Sequence, residues 1–156
     1  MAVMGKHRTP KQIKLLAEQQ AKRTNWNDGG LVTFAGFLYC NLIELSLLNV
    51  EDLITEKGKI VDHLVMPERI TGKEKGRLLN IGKQGFIVEV IKHVIDHRKA
   101  NNHGIIKNTG MYCGLEPESR FFLNTTGEPF HLKKNDKGNY QPQALRRYMA
   151  AMNLGE

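Results

Sequence analysis

The sequence predicts an α+β fold in which helices pack with a small three-stranded antiparallel sheet. Two observations carry that expectation. Apolar residues recur at helical spacing in several windows, most clearly Ile87, Ile91, Val94 and Ile95. Between those windows lie three short runs with strand-like patterning, 59–66, 69–71 and 77–81, the last two joined by a loop with glycine at each end. A chain of 156 residues with 40% hydrophobic content is sized for one domain with its own core, so residues 1–156 are expected to form a single domain.

Charge narrows the partner class. Lys and Arg number 23 against 16 Asp and Glu, a net charge of +7 with a pI near 9.5. Such a balance favours a polyanion, nucleic acid before membrane. No apolar run is long enough to cross a bilayer. The polar, basic start is unlike a signal peptide. Cys40 lies in an apolar run and Cys113 in a loop, which makes neither a disulfide framework nor a zinc set. A cytoplasmic, nucleoid-associated protein is therefore expected, without cofactor, metal or small-molecule substrate.

In chain order, Thr9-Pro10 is a helix start, with Thr as N-cap and Pro in the first turn. Ile13, Leu16 and Ala17 make its inner stripe. Lys6, Arg8, Lys11, Lys14, Lys22 and Arg23 oppose only Glu18 there, either as a phosphate-facing surface or as a solvated face. Residues 25–30, Asn-Trp-Asn-Asp-Gly-Gly, are expected to break the helix. Residues 31–39 are apolar nearly all round and predict a buried central helix. Residues 41–53 predict a short amphipathic helix running into a turn, with Leu45 and Leu48 on one face and Glu44 between apolar neighbours.

Residues 84–100 predict a helix whose polar face carries Lys92, His93, His97, Arg98 and Lys99. His93 and His97 stand at i, i+4, a spacing that suits a shared metal. No third ligand accompanies them, and basic residues near a helix C-terminus also suit the macrodipole. Residues 101–119 read as loop and 131–139 as a basic, glycine-ended extension. Residues 142–154 predict a last helix with Leu145, Tyr148, Met149 and Met152 on one stripe, and Arg146 and Arg147 beside it.

The stretch from Asn41 resembles the first catalytic box of the tyrosine recombinases, the phage integrase family. Glu44, Leu45, Leu48, Asp52 and Leu53 match it in register. Thr71-Gly72-Lys73 matches the family's hairpin motif, Arg77 a common arginine after it, and residues 120–130 its strand-turn element. The resemblance implies a partial recombinase catalytic-domain fold. It departs at the position of the first catalytic arginine, which falls on Asn41. A neutral Asn cannot give the charge-assisted, bidentate grip on phosphate that arginine gives. Residues 142–147 can be laid on a degenerate second box, or can belong to the helix preceding it. The chain stops before the family's nucleophilic tyrosine, and Tyr39, Tyr112, Tyr140 and Tyr148 fall outside that position. Residues 77–98 also resemble a ribbon-helix-helix start, although no second helix follows promptly.

The resemblance implies a catalytically inactive protein that binds double-stranded DNA sequence-specifically, most usefully as a transcriptional regulator of a mobile genetic element. The alternatives are an accessory factor in recombination or conjugative transfer, and a protein-interaction module. Lys73, Lys75, Arg77, Arg69, Lys133, Lys134, Arg146 and Arg147 are the expected DNA-binding residues, and a homodimer the expected assembly.

Overall fold

A buried aspartate and a buried arginine each organise one of two compact units. The computed structural model describes residues 8–72, 76–107 and 110–154. The first unit comprises Met1–Leu47 with Phe122–Glu156, the second Leu48–Phe121.

In the first unit, α1 spans Pro10–Arg23. Its start is fixed by a reciprocal cap, in which Thr9 Oγ1 accepts from Gln12 N–H at 3.2 Å and Gln12 Oε1 accepts from Thr9 N–H at 2.8 Å. Both otherwise orphaned donors are thus satisfied. Ile13 and Ala17 are buried, as their spacing requires, and Leu16 is half-buried. The expected break at 25–30 is far shorter than predicted, because α2 spans Trp26–Phe37. Asn25 does not end a helix so much as start one, its Oδ1 accepting from Asp28 N–H at 3.0 Å. The glycines that suggested a break are buried inside α2, where small residues let helices approach. A Cβ on Gly36 would lie 2.6 Å from Ile13 Cγ2, so α1 and α2 cross closely.

α2 is the centre of this unit. Asn27 Nδ2 donates to the Leu123 carbonyl at 2.7 Å, and its Oδ1 accepts from Leu123 N–H at 3.0 Å. The Phe34 and Phe122 rings meet edge to face at 5.0 Å. The Asp28 carboxylate, only 3% exposed, accepts from Thr24 Oγ1 at 2.7 Å and from Tyr148 Oη at 2.5 Å. Tyr148 lies on α7, Gln143–Ala150, whose Leu145 and Met149 are buried. Before α7 comes a hairpin of β3, Lys133–Lys134, and β4, Tyr140–Gln141. Residues 131–139 are therefore not a plain extension. Asn135 Oδ1 accepts from the Lys137 and Asn139 amides and folds the chain back on itself.

The predicted helix of 41–53 is two helices, α3 at Leu42–Leu47 and α4 at Val50–Leu53. Asp52 ends that continuity by accepting from Asn49 N–H at 2.7 Å, which starts a new helix.

In the second unit the predicted three-stranded sheet is two-stranded. β1, His63–Val65, pairs antiparallel with β2, Leu78–Asn80, with Val65 opposite Leu78. The run at 69–71 is the helical turn α5, Glu68–Thr71. Pro67 accounts for the difference. Its φ of −63° suits a helix start, and its carbonyl accepts from the amides of Ile70 and Thr71. Only part of 59–66 is strand, with Ile60 bridged to Ile54.

α6 spans Gly85–Ala100 and buries Ile87, Ile91, Val94 and Ile95 as predicted. Arg98 is a correction. Its spacing puts it on the polar face, yet it is 1% exposed. Its guanidinium donates to the carbonyls of His103 at 3.1 Å, Arg120 at 2.9 Å and Gly104 at 3.4 Å, and to Ser119 Oγ at 2.9 Å. The five-donor fork gathers both ends of the 101–119 loop. Burial pulls its pKa down to about 10, against the opposing pull of the Glu116 charge. That loop also holds a tight turn, Met111–Gly114, in which Tyr112 and Cys113 take left-handed φ of 51° and 57°.

Arg98→Ala is expected to cost about 3–5 kcal/mol by leaving several buried acceptors without donors. Denaturant unfolding checks this, and a loss under about 1 kcal/mol would contradict the clamp. Burial, then the hydrogen bond to Asp28, pushes Tyr148 up to about 12 from 10.0. A raised folded-state pKa stabilises fully below the unfolded value and is lost as pH rises through the folded one. The stability advantage of the parent over Tyr148→Phe should therefore hold up to pH 10.0 and shrink toward 12. A pH-independent difference would contradict the shift.

Candidate nucleic-acid interface

The excess positive charge is unevenly divided. By sequence the first unit carries eleven Lys and Arg against six Asp and Glu, the second twelve against ten. Two of the six acids in the first unit, Asp28 and Glu44, are buried. Its surface is thus more basic than its composition.

Three elements of that unit present the charge. On α1, Lys11, Lys14, Lys22 and Arg23 are exposed. Arg23 Nη1 also donates to the Met152 carbonyl at 3.4 Å, and Arg8 donates to the Leu154 carbonyl. Both bonds satisfy carbonyls just past α7, where cations are favoured. On the hairpin, Lys133 and Lys134 are exposed, and Lys134 Nζ stands 5.2 Å from the Tyr140 ring centroid. Lys137 is exposed in the hairpin turn. On α7, Arg146 and Arg147 are exposed, while Leu145 and Met149 hold the opposite face in the core. The hairpin runs through Pro142 directly into α7, so five of these cations come within 15 residues, with Asp136 the one acid among them. Tyr148, anchored on Asp28, holds α7 to α2 and fixes which face Arg146 and Arg147 present.

The remaining expected DNA-binding residues belong to the second unit. Arg69 is ion-paired with Asp52. That pairing lowers the charge it can offer a phosphate. Arg77 is exposed, and its carbonyl accepts from Met66 N–H at 2.9 Å. Lys73 and Lys75 lie outside the described residues. The basic residues expected to form one surface are thus distributed over both units. Lys137 was missed by sequence reasoning because the hairpin was, although its Asn-Asp-Lys-Gly turn composition was visible.

Asn41 has a local structural task. Its Oδ1 accepts from Glu44 N–H at 2.8 Å, and Glu44 Oε1 accepts from Asn41 N–H at 2.9 Å. This is a reciprocal cap on α3. The Asn and Glu that suggested a degenerate recombinase box therefore also explain each other as a helix start. Among the described residues no group of three or more His, Cys, Asp or Glu is placed to hold a metal. His97 Nδ1 is 3.2 Å from Asn101 Nδ2 instead. No helix among the described residues is long and apolar enough to cross a membrane. No family model, curated protein or solved structure matches the chain.

Asn41→Ala and Asn41→Arg are each expected to lower stability by about 1 kcal/mol through loss of the cap. Unfolding midpoints that match the parent in both variants would contradict a capping role.

Proposed function

We propose that this protein binds duplex DNA without breaking it, and that the first unit supplies the principal contact surface. The observation that carries the reading is the run of exposed cations on hairpin and helix, Lys133, Lys134, Lys137, Arg146 and Arg147, together with those of α1. Lysines act as point charges toward phosphate, and arginines add paired donors. Contacts of this kind position a duplex and set affinity, with little sequence information of their own. Sequence preference then comes from groups at base edges or from DNA shape. A regulator of transcription on a mobile element is the role that such non-catalytic binding fits best, in keeping with the recombinase resemblance.

The absence of strand transfer rests on two features of the chain. Strand transfer needs a reactive oxygen in line with a phosphate whose charge is held by cations. Asn41 stands at the resemblance's arginine position, and its side chain caps α3. Tyr148, next to the basic stripe, donates to a buried carboxylate and is held protonated, with a pKa about 12. Its hydroxyl is engaged in that bond to Asp28.

Replacing Lys133, Lys134, Arg146 and Arg147 by alanine should weaken binding to unrelated duplexes alike. The slope of log affinity against log salt should fall by about three to four. The fold should persist, since all four side chains are exposed. The same duplexes supplied nicked should give no covalent adduct with the parent or with Asn41→Arg. A folded quadruple variant with parental affinity and slope would overturn the assigned surface, and a trapped adduct would overturn the non-catalytic reading.

A further inference from the structure

The second unit contains a cleft of about 510 Å³ that the DNA-binding reading does not use. One wall is a single stripe of α6. Val88, Lys92, Ile95, Asp96 and Lys99 recur there at i, i+4, i+7, i+8 and i+11. The facing wall is the turn at 58–62, with Ile60 contributing a half-exposed aliphatic side chain. Cys113 closes one side, its Sγ donating to the Gly58 carbonyl at 3.3 Å. Gly58 has φ +86°, and a Cβ there would meet Cys113 Sγ at 3.3 Å. Glycine is thus the residue that both permits this turn and lets it close on the thiol.

The lining has a recognisable chemistry. Ile60, Val88 and Ile95 give it apolar surface. Lys59, Lys92 and Lys99 outnumber Asp62 and Asp96. The Lys59 side chain is 72% exposed and 3.9 Å from Asp62, while that of Lys92 is 59% exposed and 3.7 Å from Glu89. Such long, exposed ion pairs contribute little and are readily exchanged for a better partner. Pockets of this size, apolar with a few polar groups around them, take small molecules.

We infer that this cleft binds a small organic anion with an apolar body. The body rests on Ile60, Val88 and Ile95, and the anionic head exchanges into the lysines. Cys113, at the edge of the cleft, is covered when the site is filled. Cys40, 1% exposed in the first unit, is the internal reference.

The test uses the full chain and 8-anilinonaphthalene-1-sulfonate, an aromatic body with one sulfonate. Iodoacetamide alkylation of each cysteine is followed by peptide mass with and without the dye. The expected result is saturable dye binding that slows alkylation of Cys113 with the same concentration dependence, and leaves Cys40 unchanged. Lys92→Glu with Lys99→Glu should weaken binding by about tenfold, the loss of a charge-assisted contact. N-phenyl-1-naphthylamine, which has the body without the sulfonate, should protect Cys113 far less. Val88→Trp, which fills the cleft and leaves the lysines, should also abolish protection, and covers the case in which the double variant misfolds. Dye fluorescence with no protection of Cys113 would place the dye elsewhere and overturn the inference. So would equal protection by the uncharged analogue.

Discussion

A carboxylate taken out of water must be surrounded by donors, and Asp28 shows what the first unit builds to meet that demand. Leaving such a charge unpaired would cost several kcal/mol. Thr24 at the end of α1 and Tyr148 on α7 both donate to it. One side chain on α2 therefore fastens the helix before it in sequence and a helix over a hundred residues later. The basic face of α7 is a consequence of that fastening. With Tyr148, Leu145 and Met149 turned inward, Arg146 and Arg147 are left outward.

The second unit solves the opposite problem with the same physics. Arg98 is a buried cation, and backbone carbonyls of the 101–120 segment supply most of its acceptors. A loop with little regular structure thereby acquires a fixed path. Removing charge from the surface this way also means that the most basic stretch of α6 offers less to a polyanion than its composition suggests. Composition alone cannot separate a cation that organises a fold from one that meets a ligand. Burial and partners do.

Much of the helical part was legible. Thr9-Pro10 announced a capped helix, and both the cap and the stripe of Ile13 and Ala17 are present. The four-residue stripe of α6 was equally clear. Elsewhere, local signals competed. Gly29 and Gly30 signal a break in isolation, but a tight helix crossing also asks for small residues, and Asn25 serves as a cap. The Arg-Ile-Thr run at 69–71 ends in two β-branched residues that suit a strand, yet Pro67 starts a helical turn. The hairpin of β3 and β4 has no alternating apolar pattern to reveal it, since all four of its strand residues are exposed. Arg98 was illegible for a different reason, because its partners are mainly backbone atoms and leave no mark in side-chain pattern. The cleft beside α6 depends on how a turn folds against a helix, which periodicity does not report. Asn41 and Glu44 are instructive in both directions. Glu44 belongs to the match with the recombinase box and Asn41 is its departure, while the spacing of the pair makes a reciprocal cap.

On the proposed reading a duplex lies on the first unit, along α1, the β3–β4 hairpin and α7. Lysine footprinting addresses it most directly. The protein is acetylated briefly with and without a duplex at low salt, and each lysine is quantified by peptide mass. Lys133, Lys134 and Lys137 should be protected, joined by lysines of α1, while Lys83, Lys92 and Lys107 of the second unit react as in the free protein. Protection confined to Lys73, Lys75 and their neighbours, with the hairpin and α1 unchanged, would contradict it and place the duplex on the second unit.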